Sequence, residues 1–168
     1  FSGDDRILVI SQSGYFELLS YDLSVHFPED IISLQKYSDK MIVTAIYFYG
    51  LKKQFYIKRF QPEIKTKKIY FIPQDKESYL ELASVNNQFD IELMFIKPRN
   101  KDVRKNELIN PRDFIAIKGI HALGNQLSRY PIKTISIIEN QNQVNNDQAH
   151  TDTLTDSSEL NNQIKINF

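Results

Sequence analysis

The sequence contains no cysteine, which excludes a disulfide framework, a thiolate metal site and the cross-linked scaffold of small secreted domains. A reducing, intracellular compartment fits that absence. No run approaches the about eighteen consecutive apolar residues that a membrane helix needs. The opening Phe1-Ser2-Gly3-Asp4-Asp5-Arg6 lacks the charged-then-apolar layout of a signal peptide, so a soluble protein with no membrane partner is expected. The chain starts without Met and in mid-pattern, which reads as a piece of a longer polypeptide. Phosphate-binding loops, nucleophile elbows and dinucleotide fingerprints are missing too. His26, His121 and His150 lie far apart without metal-ligand spacing. The acid pairs Asp4-Asp5 and Glu29-Asp30 sit in turn-like text and read as turn residues rather than acid-base dyads. No catalytic residue and no metal site is assigned.

An excess of one charge is lacking only in the sum. Twenty-one basic residues balance twenty-one acidic ones, yet residues 1–138 carry 20 Lys+Arg against 16 Asp+Glu, and residues 139–168 carry one Lys against five acids. The body is mildly basic and the tail acidic. From Glu139 the text turns to Asn, Gln, Ser, Thr and Asp with little to bury, the composition of a flexible linker. Its last six residues, Gln163-Ile164-Lys165-Ile166-Asn167-Phe168, alternate apolar and polar and read either as a ragged terminus or, by slight preference, as a last strand docking on the body. Two parts follow: a body over residues 1–138 and a tail over 139–168.

Aromatics are plentiful, with 9 Tyr and 11 Phe, and β-branched residues crowd into short runs between turn residues. That is the pattern of an antiparallel all-β protein. Four hairpins are expected: residues 7–10 with 15–19, 42–48 with 55–60, 79–85 with 89–95 across Asn86-Asn87, and 114–119 returning toward Tyr130. Their starts at Ile7, Met41, Tyr79 and Phe114 are near-regular, which suggests repeats of one small sheet each, stacked as propeller blades. A β-sandwich is the competing architecture. Helix is expected only as a single turn in a connection, for example around Pro28-Glu29-Asp30.

The stretch Asp4-Asp5-Arg6-Ile7-Leu8-Val9-Ile10-Ser11-Gln12-Ser13-Gly14-Tyr15 resembles a repeat start in the C-terminal domains of the A subunits of bacterial topoisomerase IV and gyrase. The likeness extends through Ala45-Ile46-Tyr47-Phe48, Phe55-Tyr56-Ile57-Lys58-Arg59-Phe60 and the stretch from Ile117 to Leu127. It implies a β-pinwheel, a propeller-like disc whose rim binds and bends duplex DNA for a separate catalytic core. It further implies that core and the B subunit as partners, Mg2+ and ATP as cofactors of the holoenzyme with none for this piece, and a cytoplasmic, nucleoid-associated setting. The catalytic tyrosine and metal-binding acids of such enzymes have no counterpart here. The gyrase box, a basic Gly-rich heptapeptide, is absent as well, which points to the topoisomerase IV-like branch.

The candidate DNA contacts form two groups: Lys52, Lys53, Lys58, Arg59, Lys65, Lys67 and Lys68, then Lys97, Arg99, Lys101, Arg104 and Lys105. Duplex DNA presents one charge per about 1.7 Å of axis, which flexible cations match without reading bases. Lysines on strand edges also serve solubility alone, and a basic rim could equally face an acidic protein. A glycosidase-like propeller would need two converging carboxylates that no pattern supplies. Tyr47, Tyr49, Phe55, Tyr56 and Phe60 are expected in packing rather than base stacking. The chain alone is expected to show no nuclease, ligase or ATPase activity. Strand cleavage by a clean preparation, abolished by replacing any one tyrosine, would refute that.

Overall fold

The computed structural model describes residues 5–20, 26–65 and 67–139. The expected boundary at 138 and the whole tail, including its last alternating residues, lie at or outside the end of the described residues. Eleven strands and one helical turn follow in the order β1 (Arg6–Ser11), β2 (Tyr15–Ser20), β3 (Ile31–Lys36), β4 (Val43–Tyr49), β5 (Gln54–Phe60), β6 (Ile69–Tyr70), β7 (Tyr79–Ser84), β8 (Phe89–Phe95), β9 (Glu107–Ile109), α1 (Pro111–Phe114), β10 (Asn125–Gln126) and β11 (Ile132–Glu139). All pairings are antiparallel. The all-β, pinwheel-like expectation holds.

Three sheets form, in the orders β3-β1-β2-β6, β7-β4-β5-β10 and β11-β8-β9. One rule generates the first two sheets in full and the third without its cap. A first strand pairs with the second, a third strand returns to the other edge of the first, and the outer edge of the second takes two residues donated from the next unit. Thus β6, lying between β5 and β7 in sequence, caps β2, and β10, lying between β9 and β11, caps β5. The units interlock because each connection between second and third strands reaches back to its predecessor.

The middle sheet is apolar on both faces because both are covered. Val43, Ala45, Tyr47, Tyr56, Phe60 and Leu80 pack with Leu8, Ile10, Phe16 and Leu18 of the first sheet. From the opposite face Ile46 and Ile57 meet Phe89, Ile91, Leu93 and Phe95 of the third. Strands of this kind read as continuous apolar runs rather than alternating ones. Phe16, Phe60 and Phe71 form a ring cluster at centroid separations of 5.0 to 6.3 Å across the first joint.

The first two expected hairpins are present. The third is not: β7 joins β4 in the middle sheet, and β8 begins the next sheet. Asn86-Asn87 does turn the chain, but Asn86 N–H donates to Ser84 Oγ and Gln88 N–H to Asn86 Oδ1. These local bonds satisfy the turn's donors and let the chain step across to the next sheet. The fourth hairpin is absent too. Asn110 caps the turn of α1 by accepting from Arg112 N–H, with Pro111 at the first helical position, so Phe114 ends a helical turn instead of starting a strand. That turn replaces the one expected at Pro28-Glu29-Asp30, where Glu29 and Asp30 form a plain turn. Asp30 instead accepts from the hydroxyls of Ser11 and Ser13, which hold its carboxyl below the usual range. The repeats therefore start at Arg6, Val43 and Phe89, and three sheets replace the four hairpin units.

Gly124 sets the second joint. Its φ is +87°, and a Cβ there would lie 2.2 Å from Ile57 O. Gly119 has open space around it. Gly124→Ala is expected to lower unfolding free energy by about 2 kcal/mol or more, combining a left-handed backbone with a backbone clash. Gly119→Ala should stay within about 0.5 kcal/mol of wild type, and urea titrations of the two variants provide the comparison.

Candidate functional site

The first turns of the three sheets lie along one edge. The segment after β6 joins the first turn to the second: Gln74 Nε2 donates to Ser13 O at 3.4 Å, while a Cβ on Gly50 would meet Asp75 and Glu77. Ser78 Oγ accepts from Gly50 N–H and donates to Asp75, fixing that bridge. The second and third turns share a cleft of 270 Å³ lined by Lys53, Gln54, Phe48, Phe55, Ile96 and, from the segment after β10, Ser128 to Ile132. Side chains projecting from these turns therefore form a continuous rim.

One group of exposed cations lies on this rim, while others, among them Arg6, Lys36, Lys40 and Lys118, are exposed elsewhere. Lys52 and Lys53 occupy the β4–β5 turn, and Lys97, Arg99, Lys101, Arg104 and Lys105 project from the longer β8–β9 connection, all of them exposed. Two groups more than forty residues apart in sequence thus flank one cleft. Lys52 Nζ lies 5.9 and 5.7 Å from the rings of Tyr49 and Tyr56, and Lys53 pairs with Glu77. The Arg104 guanidinium sits 3.9 Å from the Tyr130 ring centroid and pairs with Glu107, whose carboxylate raises the affinity of Arg104 for its proton. Arg129 lines the same cleft. Sequence reasoning missed it because it stands alone between Ser128 and Tyr130; only the donated segment carries it to the rim.

Of the remaining candidates Lys65 lies away from the rim, and Lys68 lies beside the first turn. Lys65 lies beyond the far end of β5 and pairs with Glu63 at 2.7 Å. Lys67 is exposed on the way back toward the rim. Lys68 reaches Tyr15 at the start of β2, 3.2 Å from its hydroxyl and 4.5 Å from its ring, and that hydroxyl raises its pKa.

Lys58 and Arg59 are corrections. They are 1% and 7% exposed, so neither reaches a phosphate in this conformation. Both lie in a strand buried on its two faces, one pointing to each side. Opposite Lys58 the sheet carries Ala45, whose small side chain leaves room for the lysine stem. Lys58 Nζ donates to Phe71 O at 2.7 Å and to Ile120 O, and it lies 5.6 Å from the Phe60 ring. Arg59 Nη1 donates to Ile115 O at 3.3 Å, while its Nε has no partner among the described residues. Burial and the charge of Arg112 lower the Arg59 pKa. The expected aromatics pack as foreseen: Tyr47 and Tyr56 stack at 5.8 Å, and Tyr47 donates to Leu123 O. Among the described residues no cluster of His, Asp or Glu could hold a metal.

A family model for the topoisomerase C-terminal domain of Bacteroidota matches residues 1–139. The chain belongs to this topoisomerase C-terminal domain family. The match spans all three sheets of the topoisomerase domain and stops where β11 ends. No curated protein and no solved structure matches the chain.

Burial brings the Lys58 ammonium down to about 8, against about 10.4 in an unfolded chain. Below pH 8 both states hold the proton, and the cost of burying the charge is present in full. Between pH 8 and 10 the unfolded state binds more protons, so stability rises with pH. The neutral amine keeps two N–H donors for its two carbonyls. A gain of about 1–3 kcal/mol over that window is expected, to be lost above pH 10 as unfolded phenols ionise before the buried Tyr47. Lys58→Met should flatten the rise, as read from denaturation midpoints at stepped pH.

Proposed function

We propose that this topoisomerase domain is a non-catalytic clamp for duplex DNA, serving a type IIA, topoisomerase IV-like enzyme whose cutting and ATP-driven steps belong to other segments and to the B subunit. The observation that carries this reading is the rim itself: Lys52, Lys53, Lys97, Arg99, Lys101, Arg104, Lys105 and Arg129 converge from two sheets onto one edge. The acids beside them, Asp75, Glu77, Asp102 and Glu107, are half as many as these eight cations. A side chain such as Lys97 or Arg99, on an exposed connection, follows the phosphate path without a fixed pose, as sequence-independent binding requires. Holding a DNA segment near the catalytic core in the nucleoid would bias which crossings that core acts upon.

Duplex binding by the full chain should fall linearly on a log-log salt plot, with slope about −0.9 per neutralised phosphate. About four contacts would give a loss of about a hundredfold between 50 and 200 mM salt. Reversing Lys97, Arg99 and Lys101 to Glu should weaken binding equally on unrelated sequences and flatten the slope, while leaving thermal stability almost unchanged because exposed charges contribute little to folding. Lys65→Glu, off the rim, should change binding far less. Absence of salt-dependent binding, or indifference to the triple reversal, would transfer the rim to an acidic protein partner.

A further inference from the structure

The third sheet lacks a component that the other two possess. In the first sheet the outer edge of β2 is capped by β6, and in the second the outer edge of β5 is capped by β10. Both caps come from downstream, and both deliver buried apolar side chains: Ile69, Phe71 and Ile72 with the first, Leu127 with the second. Both are seated by a glycine of positive φ, Gly14 against Ile72 and Gly124 against Ile57 O. The position equivalent to β2 and β5 in the third sheet is β9, whose outer edge is unpaired among the described residues. Leu108 at its centre is 66% exposed. Leu108 shares the outward face of the third sheet with Met94 and Ile138, which are also exposed. The same face also carries Asp90, Glu92, Thr134 and Ser136, so the template for strand addition is the open edge itself, with Leu108 beside it.

We propose that residues 164–168 of this same chain form the missing cap, adding to the outer edge of β9 and completing the third sheet. The described chain leaves the sheet at Glu139, which pairs with Phe89, and β9 ends at Ile109, which pairs with Ile91 two residues further along β8. The exit and the open edge are thus at the same end of the sheet, two strand spacings or about 10 Å apart. Residues 140–163 are Asn, Gln, Ser, Thr and Asp in the main, and a flexible chain of that length has a mean span of about 27 Å. The connection therefore reaches without strain. Within the downstream sequence the alternation of Ile164, Ile166 and Phe168 is the stretch that places three apolar side chains on one face of a strand. The cap would again come from downstream, though from the chain after β11 and not from within a following sheet as β6 and β10 do. The acidic linker then serves as a tether that raises the local concentration of the cap.

The absence of cysteine makes the test direct. In the full chain, Leu108→Cys is combined in turn with Ile164→Cys, Lys165→Cys or Ile166→Cys, and each pair is oxidised at low protein concentration. Strand pairing brings opposed residues within disulfide reach. At least one pair should close within the monomer about tenfold faster than a control pairing Leu51→Cys, on the β4–β5 turn, with Lys165→Cys. Ile164→Asp and Ile166→Asp together, in the Leu108→Cys, Lys165→Cys background, should bring the rate down to that of the control. Hydrogen exchange at the Leu108 amide should accelerate in the same aspartate variant with the cysteines absent, while amides of β4 remain protected. Equal rates for all pairs and the control would overturn the proposal. Predominant formation of Leu108→Cys dimers would overturn it in favour of a second copy occupying the edge.

Discussion

The middle sheet has no face to spare for water. Ile46 and Ile57 point one way, Ala45, Tyr47 and Phe60 the other, and all five are fully buried. Burial of each large apolar side chain is worth about 1.5–3 kcal/mol, so two cores share one sheet and neither survives without it. This explains how Lys58 is tolerated. Desolvation of its ammonium costs a few kcal/mol, which the surrounding apolar groups outweigh, and the carbonyls of Phe71 and Ile120 satisfy its protons. Those two carbonyls belong to the segments that lead out of β6 and into β10. The buried lysine therefore ties both donated segments to the sheet between them, and its polarity has a structural use.

Much of this architecture is legible in the residues. Ile7 to Ile10 against Tyr15 to Leu19, and Val43 to Phe48 against Phe55 to Phe60, announce hairpins through local turn chemistry, and both form. What is not legible is any pairing that spans a unit. The caps are two residues long, and nothing in Asn125-Gln126 announces an edge of β5 that lies over sixty residues upstream. The apparent hairpin around Asn86-Asn87 shows the converse. Tyr79 to Ser84 and Phe89 to Phe95 alternate well enough to pair with one another, yet β4 had an open edge to be covered, and β7 covers it.

The same cause explains which basic residues were misplaced. Sequence proximity grouped Lys52 with Lys68, but β5 carries the chain from the rim to the opposite end, leaving Lys53 and Lys65 on different sides of the molecule. Lys58 and Arg59 did carry a signal. They interrupt Phe55-Tyr56-Ile57 and Phe60 in a run with no polar alternation, the mark of a strand buried on both faces, in which a charge points inward whichever side it takes. Arg129 carried none, since its place depends on the route of a donated segment.

The rim is the part of the fold that the packing constraint leaves free, and it is uneven. The first turn, at residues 12–14, carries no cation, the second carries Lys52 and Lys53, and the connection from β8 to β9 carries five. Charge therefore grows toward the third sheet. Packed sheets lie about 10 Å apart, so three turns span about 20 Å, or about six base pairs at 3.4 Å each. With a persistence length of about 150 base pairs, elastic cost rises as the bent segment shortens, so a 40° bend over six base pairs costs about three to four times as much as over twenty. If the rim binds duplex DNA as proposed, it would hold a nearly straight segment more cheaply than a bent one, with any larger bend distributed over DNA that reaches past the third sheet, where the charge is greatest.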